Sequence, residues 1–162
     1  MSSELRSPTV DADGIFQAET PDPKRILLVE DNDLNRQMLQ DYIVFCGYQV
    51  RSLSGGSGFF EALADFQPQL TLLDLKLPDI DGYTLLEQIQ QSTDWQHIPV
   101  IIVSAFAFKA DKQRALSLGA RRYFVKPVNL NDLRQAVEDE LRGSWQTKFY
   151  FNLLFIQLFV QQ

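Results

Sequence analysis

The chain has 162 residues, 45% apolar and 22% charged, enough for one domain with a sizeable core and too apolar for a disordered chain. Fifteen Lys and Arg against 21 Asp and Glu give a formal charge of -6, which argues against an electrostatic clamp on nucleic acid. A single cysteine, Cys46, and a single histidine, His97, exclude an internal disulfide, a thiolate-rich metal site and a multi-histidine zinc site.

Residues 1–23 carry five acids, one arginine and three prolines, with no helical or strand period. A flexible acidic leader is expected there, either a solvating tail or an arm that binds a partner. The pattern changes at Lys24. Arg25 to Val29 (RILLV) is a short apolar run that predicts a buried strand. Asp33 to Phe45 follows as a helix, with Leu34, Met38, Tyr42 and Phe45 near helical spacing, Asn32 as N-cap and Gly47 as stop. Cys46 reads as a helix-end residue.

Gln49 to Leu53 is a second strand and Phe59 to Phe66 a short helix stopped by Pro68. Between them, Gly55, Gly56 and Gly58 invite comparison with a phosphate-binding loop. No lysine follows at the needed spacing, so a turn is expected. Leu70 to Asp74 (LTLLD) is the third strand. A loop over 77–82 leads to a helix from Tyr83 to Gln91. Ile98 to Val103 (IPVIIV) is the fourth strand, with Pro99 near its start. His97 precedes it as a loop residue. Lys109 to Leu118 is a helix closed by Gly119, Arg121 to Val125 the fifth strand, and Asn129 caps a last helix from Leu130 with Leu133, Val137 and Leu141 on one face.

Five βα repeats with short, unbroken apolar strands predict an α/β fold. It is a five-stranded parallel sheet, doubly wound, with helices on both faces. The domain is expected over 24–142. After it, residues 149–162 (FYFNLLFIQLFVQQ) are 10 of 14 apolar and uncharged. That extension, 143–162, is too short to span a bilayer comfortably, since roughly 17–25 residues are needed. It is expected to be helical and buried in a homodimer contact continuing the last helix. Folding back on the domain and a membrane-surface segment are the alternatives. No run reaches the length of a spanning helix and the N-terminus has no signal-peptide core, so a cytoplasmic protein is expected.

The chemistry-bearing residues sit where the strands end. The first strand ends in Glu30-Asp31, the third in Asp74 and the fourth in Ser104, while the fifth leads to Lys126-Pro127. In a parallel sheet these converge on one edge. Three carboxylates in one crevice repel one another, and a hard divalent cation such as Mg2+ relieves that. A lysine and a hydroxyl around a central carboxylate complete the equipment for phosphoryl transfer to it.

The stretches LLVEDNDLNRQML (27–39), LTLLDLKLPDIDGYTLL (70–86), IPVIIVSA (98–105) and GARRYFVKP (119–127) resemble the receiver domains of two-component response regulators, the CheY-like family. The resemblance covers about 24–142. It implies a flavodoxin-like fold and a phosphoryl group taken by Asp74 from the phosphohistidine of a sensor kinase or phosphotransfer protein. It assigns Asp31 to direct Mg2+ binding, Glu30 to the second acid and the carbonyl of Lys76 to a third ligand beside Asp74. Lys126 matches the phosphoryl-pairing lysine, with Pro127 after it in a bond that is typically cis in the family. Ser104 matches the switch hydroxyl, Tyr123 the switch aromatic, Ala105 the small residue beside the phosphoryl group and Gly82 the turn after the acceptor loop. Output through protein contacts is implied, in a stand-alone receiver that phosphorylates and dephosphorylates itself rather than acting as an enzyme. Phe106 and Phe108 are either core-packing or partner-contacting residues. The competing functions are a pseudo-receiver scaffold and a hydrolase with an aspartyl-phosphate intermediate. The hydrolase calls for an acid at position 76, which is Lys.

Overall fold

The computed structural model describes residues 22–143. The predicted leader and apolar extension lie outside the described residues, except for 22–23 and 143. The strands are β1 (Arg25–Val29), β2 (Gln49–Leu53), β3 (Leu70–Leu73), β4 (Val100–Ser104) and β5 (Arg122–Val125). Helices α1 (Asp33–Phe45), α2 (Phe59–Phe66), α3 (Gly82–Gln91) and α4 (Lys109–Ser117) alternate with them. A last helix, α5, runs over 130–143. All strand pairs are parallel, in the order β2-β1-β3-β4-β5. The chain moves outward from β1 to β2, then crosses back to β3. The order therefore reverses between the ends of β1 and β3, where doubly wound sheets place their ligands.

Alternation along each strand explains the two cores. Successive side chains point to opposite faces. Leu27, Val29, Leu73, Val100 and Ile102 meet Phe59, Leu63, Leu86 and Ile89 of α2 and α3. Ile26, Leu28, Leu70, Leu72, Ile101 and Val103 meet Leu39 and Ile43 of α1 and Leu133, Val137 and Leu141 of α5. Fully burying one such side chain stabilises by about 1.5–3 kcal/mol relative to exposure.

Besides one-residue shifts at the ends of β3, β4 and α4 and the start of β5, three local readings change for a physical reason. Helix α1 does not bury the stripe through Leu34, Met38 and Phe45. Leu34 is 82% and Phe45 87% exposed, and the buried residues are Leu39 and Ile43. The helix carries two apolar stripes, and packing on the sheet beside α5 selects the second. Strand β4 starts at Val100 because Pro99 has no N–H for the ladder, although its carbonyl accepts from Thr71 N at 3.0 Å. Helix α3 starts one residue early, at Gly82, because the Asp81 side chain accepts from Tyr83 N and caps it there. Asn32 caps α1 by accepting from Asn35 N at 3.0 Å, and Asn129 caps α5 through Asn131 N and Asp132 N.

Candidate functional site

The register of the central strands builds the site. Val29 of β1 is level with Leu73 of β3, so Glu30 and Asp74 leave the sheet side by side. The backbone stays paired one residue further, with Asp74 N donating to Val29 O at 2.9 Å. Ser104 ends β4 level with Val125 of β5, which places Lys126 on the same rim.

Glu30, Asp31 and Asp74 each present a carboxylate oxygen within 4.8 Å of the others. Glu30 is 1% and Asp74 4% exposed, whereas Asp31 opens to solvent. The Lys126 ammonium bridges the two buried acids, 2.6 Å from Glu30 Oε2 and 2.7 Å from Asp74 Oδ2. Each remaining oxygen takes a backbone donor. Asn32 N donates to Glu30 Oε1 at 3.1 Å and Lys76 N to Asp74 Oδ1 at 3.1 Å. Burial pushes the Glu30 carboxyl above its ordinary value, against the pull of Lys126 and the Asn32 N–H. For Lys126, burial alone would favour the neutral amine. The bonds to Asp74 and Glu30 outweigh it and hold the ammonium above its usual range.

Three carboxylates against one ammonium leave a surplus of negative charge at the rim. All the donors are hard oxygens, one acid is open to water, and the oxygens are close enough to share one small ion. That donor set fits Mg2+, which takes one or two carboxylates and keeps several waters.

Around this centre, Ser104 is fully buried and its Oγ accepts from Phe106 N at 3.3 Å. Tyr123 donates its hydroxyl to Phe106 O at 2.9 Å. The backbone of Phe106 therefore links the two expected switch residues. Burial, then the Asp111 charge, raises the Tyr123 hydroxyl, with Ser104 opposing. Phe106 packs against the core while Phe108 is 79% exposed. The Lys126–Pro127 peptide bond is cis. Ala105, Pro127 and the Lys76 side chain are exposed at the rim. His97 precedes β4 and so lies at the opposite rim.

Two further side chains, to which the sequence reading gave no role, shape the site. Arg36 donates through Nη1 to Glu30 O at 2.8 Å and Asp31 O at 3.3 Å, and pairs with Asp33. It closes the turn that carries the acid pair. The available signal was an arginine three residues after an acid at a helix start. Tyr83 packs its ring 3.9 Å below the Arg114 guanidinium and reaches Asp111 with its hydroxyl, joining α3 to α4.

The profile of the response regulator receiver domain family matches residues 26–138. The polar-differentiation response regulator DivK of Brucella anthropi is 31% identical over 119 residues, 74% of this chain and 97% of that protein. The crystal structure of a CheY-like receiver domain protein from Methanospirillum hungatei superposes with a TM-score of 0.72 at 28% identity, covering 77% of this chain and 98% of that one. The Mn2+-bound form of response regulator Rcp1 superposes with a TM-score of 0.62 at 30% identity, covering 72% and 91%.

Proposed function

Because this chain belongs to the response regulator receiver domain family, we propose that Asp74 is its phosphoryl acceptor. Receivers carry an acid cluster of this kind for phosphorylation and Mg2+ binding, act on themselves rather than on a separate substrate, and signal through a change of conformation. Membership implies a histidine kinase or phosphotransfer protein as partner. Among the described residues no helix is long and apolar enough to cross a membrane.

The observation that carries the reading is the placement of Lys126 between Glu30 and Asp74, with Asp31 alongside. An Asp74 oxygen attacks the phosphorus of a phosphohistidine, the P–N bond breaks, and the imidazole leaves with that electron pair. Lys126, already a donor to Asp74 Oδ2, moves its ammonium to a phosphoryl oxygen. Glu30 and Asp31, with the Lys76 carbonyl, would hold Mg2+, which supplies neutralising charge for the phosphoryl oxygens when bound. Ser104 releases Phe106 N and donates its hydroxyl to the phosphoryl group, and Ala105 leaves it room. Tyr123, bonded to Phe106 O, follows that segment inward. This is a two-state element biased by a new charge.

Acetyl phosphate with Mg2+ should add one phosphoryl mass to the wild type and none to Asp74→Asn. Labelling of both, or of neither, would overturn the assignment.

We extend the reading to a homodimer formed by the last helix and the extension over 143–162. The support is the uncharged apolar run at 149–162, together with exposed Phe108 just before α4, Leu116 on α4 and Val125 on β5. Sedimentation of the full chain should show a dimer that a chain ending at Arg142 does not form. Two monomers would refute it.

A further inference from the structure

The glycine-rich turn between β2 and α2 holds an anion after all, and it belongs to the chain itself. Gly56 N donates to Asp79 Oδ1 at 2.8 Å and Ser57 N to Asp79 Oδ2 at 2.7 Å. Successive N–H groups in a turn form a concave anion site. Here it grips a carboxylate from the loop between β3 and α3. Those two N–H groups hold the Asp79 carboxyl below its ordinary range. The glycines are shaped around this loop. A Cβ on Gly56 would lie 2.0 Å from Ile80 Cγ2, and one on Gly55 would lie 2.8 Å from Asp79 Oδ1.

The gripped loop runs from Asp74 to Gly82 and contains Lys76. Its far end is fixed by Gly82 N donating to Leu75 O at 3.0 Å and by the Asp81 cap on α3. Near its start, Lys76 N donates to Asp74 itself. That bond sits on the reacting carboxylate, so it is open to change when Asp74 reacts. The clasp on Asp79 is charge-assisted and two-pronged, and neither of its bonds involves the Asp74 carboxylate.

We propose that Asp79 is a positioning residue for the metal site. By tying the acceptor loop to the β2–α2 turn, it presents the Lys76 carbonyl to the acid cluster. The inference rests on the reading of Lys76 as a ligand. Losing a partner behind the direct ligands typically costs about 10–100-fold in metal affinity.

Calorimetric Mg2+ titration of the full-length wild type, Asp79→Asn, Gly55→Ala and the double variant tests it, alongside thermal melting without metal. Gly55 does not have a left-handed backbone, so Ala there acts through its contact with Asp79. Each single variant should weaken Mg2+ binding roughly ten-fold. The double should be no weaker than the worse single, because both break one clasp. Phosphoryl uptake should return to the wild-type rate at saturating Mg2+. Unchanged Mg2+ affinity in both singles, with or without a lower melting temperature, would overturn the proposal and leave the metal site standing. A wild type that takes up no Mg2+ would overturn both.

Discussion

Lys126 Nζ lies 2.7 Å from Asp74 Oδ2, so an ammonium from the end of β5 neutralises the central carboxylate of β3 across 52 positions of sequence. The same ammonium is shared with Glu30, at 2.6 Å from Oε2. Lys126→Met would leave two buried carboxylates facing each other. The expected loss at neutral pH without metal is about 3–5 kcal/mol, since removing one partner of a buried ion pair strands the other. Mg2+ should restore part of it. Urea unfolding with and without Mg2+ checks this, and an equal loss in both conditions would contradict it.

Metal removal gives the second prediction. A ligand that binds only the folded chain stabilises it by about 2.7 kcal/mol at a hundred times its dissociation constant. The wild-type denaturation midpoint should therefore rise with Mg2+ concentration, and most of the rise should vanish in Asp31→Asn. Asp31 is the exposed member of the cluster, so its loss costs little folding stability.

Tyr83 predicts behaviour in alkali. Burial first, then the Asp111 charge, pushes its hydroxyl up to about 12 from an ordinary 10.0. The folded state therefore favours the protonated phenol. That contribution is complete below about 10 and is lost as pH climbs from there through about 12. Absorbance titration should show a tyrosine ionising at about 12 that Tyr83→Phe removes. The variant's stability should also fall less steeply over the same interval.

Thr71 offers a gain. Its side chain is fully buried in β3, and Oγ1 has no hydrogen-bond partner. Thr71→Val keeps the shape and removes an unsatisfied hydroxyl, so stability should increase by about 1 kcal/mol. A lower denaturation midpoint would refute this.

Helix α1 supplies a paired test. Ile43 is buried and Phe45 is not. Ile43→Ala should cost about 2–5 kcal/mol. Phe45→Ser should stay within about 0.5 kcal/mol of wild type. The reverse ranking would put the helix on its other stripe.

The same helix shows where sequence reading stops. The strands were legible because Ile26–Val29, Leu72–Leu73 and Val100–Val103 are unbroken apolar runs, which suit a sheet covered on both faces. Glu30, Asp31, Asp74 and Lys126 were legible as a cluster because parallel strands send their ends to one rim. The face of α1 was not, since Leu34, Met38 and Phe45 have the same spacing as a buried stripe and only the sheet and α5 decide between them. The Asp79 clasp and the Tyr83–Asp111 contact join residues more than twenty positions apart in loops and helix starts. No local period encodes such pairs. The glycine cluster hinted at an anion, and only folding supplied it.

The sheet is one residue thick, and adjacent positions of β5 choose different sides of it. Tyr123 belongs with the packing under α2, α3 and α4, and Phe124 with that under α1 and α5. A rearrangement at Tyr123, as proposed above, would act first on the packing under α2, α3 and α4.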